Sequence, residues 1–154
     1  MPDYIIIAGN EEELIDLANS LNKKYCGGAA IPIFHTEVEG GQVAGGGKVF
    51  IVGHANILGI GDYDHSEVRV FSAYFSSASE IYLAGCSTGD EKQQVRRNGF
   101  VASAPLASAV KERYKLKPVY CTPGTLCLRG DGSLYIEGGA SQGAIGDTIF
   151  VSMH

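Results

Sequence analysis

The sequence predicts an α/β fold, a three-layer sandwich built on a mostly parallel sheet with a C-terminal β-hairpin. Short apolar runs rich in β-branched residues recur along the chain, as in strands that are buried on both faces. Helix-forming segments separate several of these runs, and a helix is the usual connection between parallel strands. The chain has 154 residues, of which 45% are hydrophobic. This is the size of one domain with a substantial core, so we expect a single domain over residues 1–154.

The N-terminal part predicts a strand, a helix and a second strand. Residues 3–8 are a continuous apolar run, and Asn10, with the acidic residues after it, indicates the start of a helix. Residues 30–34 predict the second strand. The buried face of the helix is predicted from four apolar residues at helical spacing: Leu14, Leu17, Ala18 and Leu21.

The central part predicts two further buried strands, at residues 48–53 and 80–85. Residues 36–43 alternate loosely and predict a hairpin with a glycine-rich tip. A helix is predicted over residues 67–77, because apolar residues recur there on one stripe. Residues 57–64 are interrupted by glycine, and we expect an irregular loop.

The C-terminal part continues the pattern with shorter elements. Residues 90–99 are strongly polar and predict a surface loop or a short helix, and Pro105 suits the first turn of a helix that ends near Tyr114. Residues 117–121 predict a strand. Alternating residues on both sides of Gly130-Asp131-Gly132 predict a hairpin, and residues 148–152 predict an edge strand.

The composition argues against several classes of function. The net charge is -5 and the basic residues are scattered, so we expect no nucleic-acid partner. No apolar run approaches the roughly 18 residues of a membrane span. The first residues lack the basic region, apolar run and cleavage site of a signal peptide. We therefore expect a cytoplasmic protein, or one exported without a classical signal peptide.

The cysteines and histidines predict neither disulfides nor a metal site. No two cysteines have C-x-x-C spacing, and a chain of this size does not need disulfides, so we expect reduced thiols. His35, His54 and His65 do not stand at metal-ligand spacing from one another or from the cysteines. We therefore expect no metal and no other cofactor. The four cysteines are Cys26, Cys86, Cys121 and Cys127.

Two reactive residues directly follow the two central strands. His54 follows strand 48–53, and Cys86 follows strand 80–85. Parallel strands joined by a helix end at the same edge of a sheet, where open α/β sheets place their sites. A thiol beside an imidazole is sufficient for nucleophilic acyl transfer. Taken singly, His54 could instead satisfy a backbone group, and Cys86 could be a small buried hydrophobic residue.

The neighbours of these two residues suit the same reaction. Acyl transfer needs a group that accepts the thiol proton and backbone N–H groups that stabilise an oxyanion. Gly53, Ala55 and Gly85 are the candidate backbone positions, because small residues let a substrate carbonyl approach the main chain. Ser87 and Asp90 are candidate substrate-binding residues. Asp90 has the alternative interpretation of an ordinary solvated loop residue.

The segments Ile51-Val-Gly-His54 and Leu83-Ala-Gly-Cys86-Ser-Thr-Gly89 resemble the caspase–hemoglobinase clan of cysteine peptidases. Within this clan the chain is most similar to bacterial self-processing toxin and effector peptidase domains. The resemblance implies a caspase-like sheet, a Cys86 nucleophile with His54 as its partner, and a protein or peptide substrate. It also implies an oxyanion site formed by the amide of Cys86 and the amide after the histidine. Further matching residues lie at 104–107, 117–120, 122–125 and 130–134.

Two alternative functions stay open. The clan usually has glycine after the histidine, where this chain has Ala55, so an inactive caspase-like binding module is one alternative. Residues 85–89 also fit the pattern G-x-S-x-G, which would make Ser87 the nucleophile of a serine hydrolase. That enzyme needs a later histidine, and His154 is the only one. A phosphatase loop does not fit, because Lys92 stands where arginine is required.

Overall fold

The computed structural model describes residues 3–9, 11–34, 47–56, 59–60, 63–64, 76–85, 95–97, 100–102, 106–122, 125–128, 134–137 and 150–153. The elements within these ranges are, in chain order, β1 (Tyr4–Ile7), α1 (Glu12–Tyr25), β2 (Ile31–Phe34), β3 (Lys48–Val52), β4 (Ala55–Asn56), β5 (Gly59–Ile60), β6 (Tyr63–Asp64), β7 (Glu80–Ala84), β8 (Val95–Arg97), β9 (Phe100–Ala102), α2 (Leu106–Arg113), β10 (Val119–Cys121), β11 (Thr125–Leu128), β12 (Leu134–Glu137) and β13 (Val151–Met153).

Within the described residues, the principal sheet has six strands in the order β13-β10-β7-β3-β1-β2. Strands β10, β7, β3, β1 and β2 run parallel to one another, and β13 pairs antiparallel with β10 at one edge. The prediction of an α/β fold with a mostly parallel sheet is confirmed. The described residues also form three small antiparallel sheets, β4-β5-β6, β8-β9 and β11-β12, and the last of these is the predicted C-terminal hairpin.

Both faces of the central strands are buried, which explains why their sequences are continuous apolar runs rather than alternating ones. Successive side chains of a strand point to opposite faces. Helix α1 covers the face that carries Ile5 and Phe50, using the predicted positions Leu14, Ala18 and Leu21. Side chains of the opposite face are fully buried as well: Ile6, Ile51, Ile81 and Leu83.

An aromatic stack runs across three neighbouring strands on the α1 side of the sheet. The register pairs Phe50 with Tyr82 and Tyr82 with Tyr120, so the three rings lie in one row. Their centroids are 4.3 and 4.7 Å apart in stacked geometry. Phe150 packs edge-on against Tyr82 at 5.1 Å. Such pairs contribute about 0.5–1.5 kcal/mol each beyond burial, so this row fixes the alignment of β3, β7 and β10.

Helix α2 packs against β10 and β13, and its Val110 is fully buried. Its bounds agree with the helix predicted after Pro105. In the part of the chain that the structure describes, no helix combines the length and the apolar character that crossing a membrane requires.

Two predicted irregular regions contain short strands instead. Residues predicted as a glycine-broken loop supply β5 and β6, which continue a ladder from β4. The polar segment predicted as a loop or short helix supplies β8, which pairs with β9. A strand of two or three residues is too short to show an alternating pattern in the sequence. Cross-strand pairing determines these elements instead. The hairpin predicted over 36–43 and residues 67–75 of the next predicted helix lie outside the described residues.

Candidate active site

Strands β3 and β7 are neighbours and run parallel, so they end at the same edge of the sheet. Their register pairs Lys48 with Glu80 and continues to Val52 with Ala84. The ladder extends one step further, because the Gly53 N–H donates to the Ala84 carbonyl at 3.4 Å. His54 follows Gly53, two residues after the last residue of β3. The other predicted site residues at this edge lie outside the described residues: Cys86, Ser87 and Asp90.

His54 projects from the strand end into solvent and contacts an acidic side chain. Its Nε2 lies 2.8 Å from Oε1 of Glu13, with side-chain exposures of 59% and 68% respectively. When the imidazole is neutral, this contact requires the proton on Nε2, which leaves Nδ1 as the proton acceptor. When the imidazole is protonated, the same contact is an ion pair. At Nε2 the partner of His54 is therefore the side chain of Glu13 and not a backbone group.

The first turn of α1 brings Glu13 to this edge. Strand β1 ends at Ile7 and the helix begins at Glu12; its N-cap is Glu11, which makes no side-chain capping hydrogen bond. The predicted Asn10 cap was therefore one residue early, and Asn10 itself lies outside the described residues. A Cβ at Gly9 would crowd the ends of the Glu11 and Leu14 side chains, which would have to shift if Gly9 were replaced. Leu14, in the same helical turn as Glu13, belongs to one core cluster with Val52, so this turn lies beside the end of β3.

The residues on either side of His54 are both engaged in backbone pairing. Gly53 is buried and its N–H is used by the sheet, so it does not offer that N–H to an oxyanion. Ala55 begins β4 and pairs with Ile60. A strand residue does not need the left-handed conformation that favours glycine. Alanine after the histidine is therefore compatible with the backbone found here.

Gly85 is buried, and its carbonyl accepts a hydrogen bond from the hydroxyl of Thr122. Thr122 follows β10 directly and is fully buried, so this bond joins the carboxyl ends of β7 and β10. The preceding carbonyl, that of Ala84, faces β3. The bond from Thr122 therefore fixes the direction of the last described peptide group before Cys86.

The side chains of two of the four cysteines are described, those of Cys26 and Cys121. Cys121 is fully buried within β10. Cys26 follows the C-terminus of α1, where burial and the nearby Asp3 carboxylate raise the pKa of its thiol to about 12. A thiol with such a pKa is almost entirely protonated near neutral pH and is a poor nucleophile. Within the described ranges, no three potential metal ligands come together.

Sequence reasoning did not single out Glu13 or Thr122 as members of a site. Glu13 was interpreted only as an acid that suits the positive end of the helix dipole. The signal was present, however, because a helix that follows one parallel strand begins at the edge where the neighbouring strand ends. Thr122 carried no such signal, since its role depends on the pairing of β10 with β7.

Comparison with known families found no family model that matches the chain. A comparison with curated proteins found no match either.

Proposed function

We propose that this chain is a cysteine endopeptidase with a caspase-like, three-layer fold, in which Cys86 is the nucleophile and His54 its partner. The observation that carries the proposal is the parallel register of β3 and β7. His54 and Cys86 are separated by the same number of residues as the pairs Lys48–Glu80 and Val52–Ala84. Extending the pairing by two residues would set Cys86 opposite His54.

The proposed reaction proceeds through an acyl-enzyme. His54 takes the proton of the Cys86 thiol, and the thiolate attacks the carbonyl carbon of a peptide bond. The imidazolium then gives its proton to the leaving amine, and the C–N bond breaks. Water, deprotonated by His54, attacks the thioester, which releases the carboxylic acid and restores the thiol. The exposure of His54 supports this role, because a proton-transferring group must be accessible to the substrate.

The carbonyl of Gly85 and the N–H of Cys86 belong to one peptide group, so a fixed carbonyl supports an oxyanion site at that N–H. Backbone groups of a strand alternate in direction, with the Ala84 carbonyl toward β3 and the Gly85 carbonyl toward Thr122. Continuing this alternation by one residue would turn the N–H of Cys86 toward β3 and His54. A backbone N–H held in advance is worth about 3 kcal/mol to an oxyanion transition state.

The substrate class that we propose is a protein or peptide. The resemblance to bacterial self-processing toxin and effector domains suggests cleavage of the chain itself or of a host protein. An inactive binding module is the second candidate, because a solvent-exposed ion pair such as His54–Glu13 also occurs on ordinary protein surfaces.

The first experiment treats the protein with a panel of peptide electrophiles that differ in the side chain before the reactive group. Mass spectrometry then locates the adduct and measures its rate of formation. We expect a single adduct at Cys86, with a clear preference among the peptides. The His54→Ala variant should react about 100-fold more slowly, which is the low end of the contribution of a general base.

The Cys86→Ala variant is the control for the nucleophile. It should form no adduct and should retain the unfolding midpoint of the wild-type protein. An adduct at Ser87 in this variant would identify the serine hydrolase instead. Slow labelling that is similar at all four cysteines and unchanged by His54→Ala would identify the binding module.

A further inference from the structure

We propose that Glu13 is a positioning residue, whose carboxylate orients the His54 imidazole and stabilises the imidazolium formed during the reaction. This inference rests on the proposed function and adds a third side chain to the dyad of Cys86 and His54. Its basis is the 2.8 Å contact between Oε1 of Glu13 and Nε2 of His54.

The contact determines which imidazole nitrogen is left for chemistry. A carboxylate can only accept, so Nε2 of His54 carries the proton in both the neutral and the charged ring. The thiol proton must then be taken by Nδ1. A ring with one nitrogen anchored cannot rotate freely, and the carboxylate of Glu13 lies beside the positive charge that the ring carries after it takes the proton. Both effects lower the barrier to moving a proton from the sulfur of Cys86 to His54.

Stability alone does not account for this pair. Both side chains are more than half exposed, and exposed ion pairs contribute little to folding. The interaction of an acid with the helix dipole does not require position 13 either, since Glu12 stands in the same first turn. Glu12 has the same charge and is also exposed, so it is a matched control for everything except the contact with His54.

The test measures the rate at which iodoacetamide alkylates Cys86 at neutral pH, with iodide as the leaving group. Four proteins are compared: wild type, Glu13→Ala, Glu13→Gln and Glu12→Ala. We expect Glu13→Ala to react about fivefold more slowly, the factor equivalent to about 1 kcal/mol at the imidazolium. Glu13→Gln keeps an acceptor oxygen but not the charge, so its rate should lie between those of wild type and Glu13→Ala. Glu12→Ala should match wild type.

A double-mutant cycle separates positioning from a general effect on the fold. In a His54→Ala background, Glu13→Ala should have no further effect on the rate, because the residue through which it acts is gone. A slowing that persists in that background, or an equal slowing by Glu12→Ala, would overturn the inference. So would a wild-type rate in Glu13→Ala.

The outcome for His54 alone distinguishes this inference from the proposed function. If His54→Ala slows alkylation and Glu13→Ala does not, the dyad stands and the role of Glu13 is wrong. If His54→Ala leaves the rate unchanged, the proposed function is wrong, and so is this inference, which depends on it. Unfolding midpoints of all variants are measured alongside, and we expect these exposed substitutions at Glu12 and Glu13 to leave them nearly unchanged.

Discussion

The two ends of the parallel strands use their polar side chains in different ways. At the amino edge, where the strands begin, charged side chains are tied to backbone groups of neighbouring elements. At the carboxyl edge, where the strands end, the acid and the imidazole are exposed and contact each other. Parallel strands bring equivalent positions together at both edges, so topology alone does not make the carboxyl edge a site. The two edges differ in whether the polar side chains are hydrogen-bonded to backbone groups or are exposed to a ligand.

At the amino edge, the charged side chains are hydrogen-bonded to backbone groups. Oδ1 of Asp3 accepts the Lys48 N–H at 2.8 Å, and the Lys48 ammonium donates to the Tyr25 carbonyl at 3.2 Å. The Lys117 ammonium donates to the carbonyls of Ser76 and Ala78 at 2.6 and 2.8 Å. These bonds hold loop ends against the sheet. We infer that this edge contributes stability rather than reactivity.

The largest expected effect concerns the cysteines of the two edges. A pKa raised from 9.0 to about 12 lowers the thiolate fraction of Cys26 at neutral pH by about 1000-fold. The greater nucleophilicity of a more basic thiolate recovers part of this, so alkylation should be slower than at an ordinary thiol by at least about 30-fold. Cys86 should react faster than an ordinary thiol. Peptide mapping after timed alkylation measures both rates in one sample.

Denaturant provides the control for that comparison. In the unfolded chain Cys26 and Cys86 should react at similar rates, because the environment of each edge is lost. Asp3→Asn should raise the native rate at Cys26, since the Asp3 charge and hydrogen bond both raise the thiol pKa. Equal native rates at the two cysteines would remove the distinction between the edges.

The part of the fold that the sequence predicted well is the part with long periodic signals. Continuous apolar runs located β1, β3 and β7 within a residue or two, and the spacing of Leu14, Ala18 and Leu21 located the buried face of α1. The short ladders of β5, β6, β8 and β9 were missed. Their pairing depends on partners that local sequence does not reveal.

In the candidate site too, some features could be predicted from the sequence and others could not. His54 could be predicted because a strand signal ends directly before it, and the adjacency of β3 and β7 followed from the βαβ rule and is confirmed. The order of strand and helix could have placed Glu13 at this edge, but its contact with His54 could not be derived, since it depends on how α1 packs against the sheet. The predicted pairing of His54 with Cys86 stays a prediction. So do the roles of Ser87 and Asp90.

An intermediate effect is expected at Thr122, the buried link between β7 and β10. Thr122→Val keeps the shape but removes the hydroxyl, which deprives the buried Gly85 carbonyl of this donor. We expect a loss of about 1–3 kcal/mol in the free energy of unfolding, measured by urea titration. If the peptide group after Gly85 also serves the reaction, alkylation of Cys86 should slow as well.

Thr122→Ser is the matched control, because it keeps the hydroxyl and loses only a methyl group. It should be less destabilising than Thr122→Val if the hydrogen bond matters more than packing. The reverse order would mean that the methyl contacts dominate, and the link between the two strands would then be a packing contact.

The smallest expected effect is at Lys117, on the amino edge. Lys117→Met keeps most of the side-chain volume and removes the ammonium that donates to Ser76 and Ala78. Burial lowers the pKa of Lys117, so desolvation of the charge offsets part of the gain from its hydrogen bonds. We therefore expect a loss of only about 1 kcal/mol in the free energy of unfolding, measured by urea titration.

Lys115→Met is the matched control, since Lys115 is an exposed lysine in the adjacent turn. It should change the free energy of unfolding by less than about 0.5 kcal/mol. Neither variant should change the alkylation rate of Cys86, because the contacts of Lys117 lie at the opposite edge of the sheet from His54. If Lys117→Met slowed that reaction by as much as Glu13→Ala does, the two edges would be coupled, and reactivity would depend on the stability of the whole sheet rather than on local contacts.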